Sequence, residues 1–248
     1  MLIVANWKAY VEDFAKAKEL LVLSKKASTR SAHTIVLAPP APFLAALALK
    51  EASAVAFAAQ DVSLTPGGAQ TGEVTAAAVK AAGAAYAFIG HSERRAAGDT
   101  PEIIVEKLTR AFAQDLTPIL CVGERERDTD GRYLSFIREE LTSALAPFSP
   151  KERMKIVIAY EPIWAIGKTA ENAIGEDDLA EMILYIRKVL SELLPGKSSL
   201  KTPVLYGGSV EPENVATLAH ATHIDGFLIG HASVDTVTFG KILKELSA

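Results

Sequence analysis

Short apolar runs recur about every thirty residues along this 248-residue chain. They cover residues 2–5, 34–38, 55–60, 86–90, 117–122, 155–160, 202–206 and 225–230. Each is too short for a helix and reads as a strand covered on both faces. Between them, apolar positions return at helical spacing over residues 14–23, 44–50, 75–82, 103–112, 134–145, 178–194, 213–219 and 237–246. Eight strands alternating with eight helices predict an α/β fold, a (β/α)8 barrel spanning residues 1–248 as a single domain. A doubly wound open sheet also alternates, but usually with fewer strands. No linker or low-complexity tract divides the chain.

A barrel places its chemistry at the C-terminal ends of the strands. The unusual polar residues do fall just after the apolar runs. Asn6 and Lys8 follow the first, Gln60 closes the third, and His91 follows the fourth. Glu124, Glu161 and Ser209 follow the fifth, sixth and seventh, and Gly230-His231-Ala232-Ser233 follows the eighth. Residues entering the strands are unremarkable.

Composition narrows the function classes. The hydrophobic fraction is 49% and the net charge is -4, with charges scattered, so neither a nucleic-acid nor a membrane-surface partner is expected. No apolar run approaches the length of a membrane span, and residues 1–5 are too short for a signal peptide, so the expected location is cytoplasmic. The single cysteine, Cys121, lies in an apolar run and reads as a buried, inert thiol. His220 and His223 are three apart but lack a third ligand and sit at the wrong face, so no metal is expected. His33 reads as a surface residue.

Glu161 ends a strand, and Pro162 then stops the ladder because it has no N–H to donate. The apolar segment Ile163-Trp164-Ala165-Ile166-Gly167-Lys168 follows. A carboxylate beneath a movable apolar segment suits proton abstraction away from water; a strand merely leaving the core fits the segment equally well. His91 stands where a helix begins, and the helix dipole disfavours its charged form. Lys8 could stabilise developing negative charge, or simply lie along Trp7. Tyr206-Gly207-Gly208-Ser209 and Gly226 to Gly230 follow strands seven and eight, where barrels commonly bind phosphate through backbone N–H groups.

Asn6-Trp7-Lys8, Ala59-Gln60-Asp61, Thr71-Gly72-Glu73, Gly90 to Arg95, Cys121-Val122-Gly123-Glu124, Ala159 to Gly167 and Tyr206 to Val210 together resemble the triosephosphate isomerase family, end to end. The resemblance implies a TIM barrel and cofactor-free interconversion of dihydroxyacetone phosphate and glyceraldehyde 3-phosphate through an enediolate, within glycolysis and gluconeogenesis. That family pairs a glutamate base with a neutral histidine electrophile, which implies those roles for Glu161 and His91. It further implies that Lys8 and Asn6 stabilise the enediolate and help bind the substrate. Backbone N–H groups of Gly167, Ser209, Gly230 and His231 would hold the phosphate, and residues 163–168 would form a lid. The long loop from Gln60 to Glu73 would enter a second subunit, carrying Thr71 to the partner's site, so a homodimer is expected.

The chain departs from the family pattern in three places. His231 stands where a second glycine is common, which would strain it if φ is positive there. The lid is shorter at its tip and longer after Gly167. The stretch from Arg95 to Asp99 is one residue short, with Asp99 in place of a glutamate that often supports the dimer interface, so altered dimer stability is expected. Two other readings remain: an isomerase or aldolase for another small sugar phosphate, and a catalytically silent phosphate-binding barrel. A Schiff-base aldolase needs a strand lysine, and the interiors of the eight runs carry none.

Overall fold

In a computed structural model, which describes residues 1–48, 55–169, 173–221 and 223–247, eight parallel strands close into a barrel in chain order. They are β1 (Leu2–Asn6), β2 (Thr34–Ala38), β3 (Val55–Ala59), β4 (Tyr86–Ile89), β5 (Thr117–Val122), β6 (Val157–Tyr160), β7 (Val204–Tyr206) and β8 (Gly226–Ile229). The described helices are α1 (Phe14–Ser28), α2 (Ala41–Ala48), α3 (Ala76–Ala81), α4 (Ser92–Ala96), α5 (Pro101–Ala113), α6 (Arg132–Leu145), α7 (Pro150–Arg153), α8 (Glu176–Leu193), α9 (Val215–Ala221) and α10 (Thr236–Glu245). The periodicity missed α4 and α7, which at five and four residues are too short to display a helical repeat. Residues 49 and 50, the expected end of the second helix, lie outside the described residues.

Helix starts follow the capping chemistry of the sequence. Asp13, Thr75, Thr100 and Asp235 each accept a backbone N–H from the first turn that follows. Helix α8 shows why the helices dock: Leu179, Met182, Ile183, Ile186 and Val189 form one buried stripe.

Strand alternation divides the core in two. Val4, Val36, Ala58, Phe88, Ile119, Cys121, Val157, Ala159, Leu205 and Leu228 pack together inside the barrel. Ile3, Ala5, Ile35, Leu37, Ile158 and their neighbours pack outward with the helices. Continuing the inward alternation to the strand ends brings Asn6, Gln60, Glu161, Gly207 and Gly230 to the mouth. Two carboxamides and one carboxylate therefore face a mouth where Gly207 and Gly230 add no side chain.

His33 departs from expectation. It is half-buried, with Nδ1 3.3 Å from the Met1 ammonium and Nε2 2.9 Å from the Leu246 carbonyl, so it ties the two chain ends together. Among the described residues, no helix is long and apolar enough to cross a membrane.

Candidate active site

Asn6, His91 and Glu161 arrive from three strand ends, and each is about 95% buried or more. His91 caps α4: its Nδ1 accepts the Glu93 N–H at 3.2 Å, which leaves the ring proton on Nε2. That nitrogen lies 3.1 Å from Glu161 Oε1 and 3.4 Å from Asn6 Nδ2. The other Glu161 oxygen accepts the Ser92 N–H at 3.3 Å. The carboxylate thus rests between the imidazole and the start of α4.

Burial opposes a charged imidazole here. The Glu161 carboxylate and its hydrogen bond, with Glu93 behind, outweigh burial and Lys8 and raise the His91 pKa. The charge that favours imidazolium is therefore mainly the one Glu161 carries.

Lys8 has φ 45°, a left-handed conformation uncommon for a side chain. Its N–H donates to Asn6 Oδ1 at 3.0 Å, and its carbonyl accepts Gln60 Nε2 at 2.9 Å, so two neighbours hold the bend. Its ammonium donates to Glu93 Oε1 at 2.7 Å. Nearby charges are also paired: Arg94 with Asp61 at 2.8 Å, and Lys107 with Asp61 and Asp99, each at 2.7 Å. Asp99 thus anchors a buried lysine rather than standing free.

Glu161 is positioned by close backbone approach. Its N–H donates to the Val122 carbonyl at 2.8 Å. A Cβ at Gly123 would collide with the Glu161 carbonyl, and one at Gly207 would come within 2.9 Å of Glu161 Cγ. Cys121 is buried beneath; burial and Glu161 push its thiol pKa well up, as an inert thiol requires.

The segment after Pro162 forms a 3₁₀ turn at Ile163–Ala165. One buried Glu124 oxygen accepts both Trp164 Nε1 at 2.7 Å and the Tyr160 hydroxyl at 2.8 Å. The Glu124 carbonyl also accepts the Ile163 N–H at 2.9 Å. Gly167 has φ 70° and is exposed. Ser209 links the far side: its hydroxyl donates to the Ala165 carbonyl and accepts the Lys168 N–H, both at 2.9 Å. Burial pushes the Tyr206 hydroxyl pKa up, while the N–H groups of Ile174 and Ser209 oppose it. Of the lengthened stretch expected after Gly167, residues 170–172 lie outside the described residues.

A cavity of about 330 Å³ joins these parts, bordered by Lys8, His91, Glu161, Gly167, Ser209 and Gly230. His231 opens the 3₁₀ turn His231–Ser233 without positive φ, so the feared strain is absent. Its ring meets Tyr10 edge-on, centroids 5.4 Å apart. Thr71 is exposed on the loop after β3 and does not border this cavity.

Sequence reasoning overlooked Glu140, whose carboxylate reaches Arg95 and the Gly123 N–H. The available signal was an acidic residue beside the buried stripe of Ile137 and Leu141 on α6.

A family model described as Triosephosphate isomerase matches residues 1–246. The chain is similar to the triosephosphate isomerase of Roseiflexus castenholzii, 37% identical over 250 residues, covering 99% of this chain and 97% of that one. It is also similar to that of Moorella thermoacetica, 37% identical over 249 residues, covering 98% of this chain and 97% of the other. The Thermus thermophilus protein of the same name is 38% identical over 252 residues, covering 98% of each.

Proposed function

Because the chain belongs to the triosephosphate isomerase family, we propose that the residues at its barrel mouth interconvert dihydroxyacetone phosphate and glyceraldehyde 3-phosphate by a cofactor-free proton relay. One observation carries the assignment of roles. Glu161, His91 and Asn6 converge from three strand ends beside Lys8, at the edge of a glycine-lined cavity.

Glu161 is the base. It leaves the Ser92 N–H, takes a proton from the carbon beside the carbonyl, and returns it to the neighbouring carbon. His91 donates its Nε2–H to the oxygens of the enediolate, and Asn6 and the Lys8 ammonium oppose the same negative charge. The relay is self-consistent electrostatically. When Glu161 takes up the proton, it loses the charge that raised the His91 pKa, and burial then favours the neutral imidazole donor.

Gly167, Ser209, Gly230 and His231 present backbone N–H groups to the phosphate, and substrate draws Lys8 away from Glu93. Residues 163–168 close over the bound triose and keep water from the enediolate. Glu124 anchors one side of this lid through Trp164, and Ser209 anchors the other.

The chain acts as a homodimer in this proposal. A groove of about 580 Å³ opens beside Asn6, Lys8 and His91, bounded by Asp61, Leu64 and Val74. Leu64 and Val74 are exposed, and the partner's corresponding loop would cover them and bring its own Thr71 to the mouth. A monomer in solution at micromolar concentration would contradict this assembly.

The roles are tested by following glyceraldehyde 3-phosphate turnover in a coupled assay. Shortening the base in Glu161→Asp should lower kcat by roughly 100-fold or more, because a displacement near 1 Å is that costly. Equal turnover by both proteins would remove Glu161 as the base.

A further inference from the structure

Glu140 lies on α6, outside the groups that face the 330 Å³ cavity, yet its carboxylate is tied to the strand-end backbone beside them. Its side chain is 9% exposed. One oxygen lies 3.0 Å from Arg95 Nη1, and the other accepts the Gly123 N–H at 2.9 Å. Arg95 uses the rest of its fork on two backbone carbonyls: Nε donates to Gly90 at 2.7 Å and Nη2 to Cys121 at 3.0 Å. Gly90 immediately precedes His91. Val122, between Cys121 and Gly123, accepts the Glu161 N–H. A single ion pair therefore spans the ends of β4 and β5 and reaches the backbone of both His91 and Glu161.

We propose that Glu140, in its ionised form, is a positioning residue for the isomerisation: with Arg95 it locks the ends of β4 and β5 and so fixes His91 and Glu161 against each other. This role rests on the isomerase reading above. Protonation removes the charge that holds Arg95, so the lock is proton-linked.

The groups facing Glu140 set where this happens. Burial pushes its pKa up to about 7, against Arg95 from α4 and the Gly123 N–H, while Glu124 and Glu161 from beyond β5 and β6 push it further up. The Cys121 thiol below stays protonated. The lock is thus set above neutrality and released below it.

The test compares kcat and KM of wild type and Glu140→Gln across pH, with thermal melts to verify folding. The side chain of Glu140→Gln keeps an acceptor for Gly123 but never carries the charge. At about pH 8.5 its kcat should be about tenfold below wild type with KM within about twofold, and by about pH 5.5 the two kcat values should converge. Reading kcat avoids the ionisation of the free phosphate substrate, which falls near pH 6 and acts on binding. A kcat ratio that stays constant with pH, or stays near one, overturns the proposal. If wild type turns over and Glu161→Asp does not, such a result removes only this inference. A wild type without turnover removes the isomerase reading and this role together. Should Glu140→Gln fail to fold, the wild type still decides. Its Gly123 amide resonance should titrate with a midpoint of about 7, and an amide unmoved across that range overturns the lock.

Discussion

The two halves of the barrel mouth are built by different means. On the β4–β6 side, buried side chains meet one another: His91 and Glu161 lie within hydrogen-bond reach, Asn6 reaches His91 from β1, and Arg95 and Glu140 brace the strand-end backbone. On the β7–β8 side, the cavity is bordered by glycines and loop backbone, and the Ser209 hydroxyl joins the segment 163–168 to the wall. Proton transfer needs atoms held within tenths of an ångström. A phosphate carries its charge on several oxygens and can be held by converging N–H groups on a wall that moves. The difference teaches where precision is needed and where mobility is.

The largest way to break the comparison is Gly123→Ala. The new Cβ would meet the Glu161 carbonyl, which is backbone and cannot swing aside. Stability should fall by about 3 kcal/mol or more, measured by the urea midpoint, and residual folded enzyme should lose kcat rather than affinity. A variant with wild-type kcat would show that the β5–β6 approach is not what places the base.

A second prediction concerns pH. In the fold Glu140 titrates at about 7, against 4.5 for the ordinary side chain, so between those values the folded state binds the proton that the unfolded chain has released. Its contribution must therefore make wild type less stable as pH rises through that window, by up to about 3 kcal/mol relative to Glu140→Gln. Parallel stability curves for the two proteins would contradict it.

The smallest expected effect sharpens the other half. Ser209→Ala removes both hydrogen bonds between the lid and the β7 loop, each worth about 1 kcal/mol. KM should rise roughly tenfold, with kcat falling less than in Gly123→Ala. A loss confined to kcat would move Ser209 to the chemical side and dissolve the contrast.

The same division governs what the sequence disclosed. The barrel was legible because parallel buried strands are continuously apolar and their spacing repeats eight times. The clustering of Asn6, His91 and Glu161 was legible because all three stand at strand ends, where polar residues are conspicuous after an apolar run. Their support was not. Arg95 and Glu140 sit on separate helices, 45 positions apart in the chain, and no local pattern joins an arginine to a distant acid. The left-handed Lys8 was equally hidden, because its bend depends on Asn6 and on Gln60 from another strand. The backbone of His231 was hidden too, since its φ is set by the turn it opens.

The most direct measurement of the central claim is deuterium incorporation from D₂O into the carbon-bound positions of the triose phosphate, compared between wild type and Glu161→Gln. Wild type should label the substrate at every turnover that exchanges the abstracted proton, while Glu161→Gln, which has no carboxylate to receive it, should label only at the uncatalysed rate. Labelling of Glu161→Gln at the wild-type rate would contradict the account.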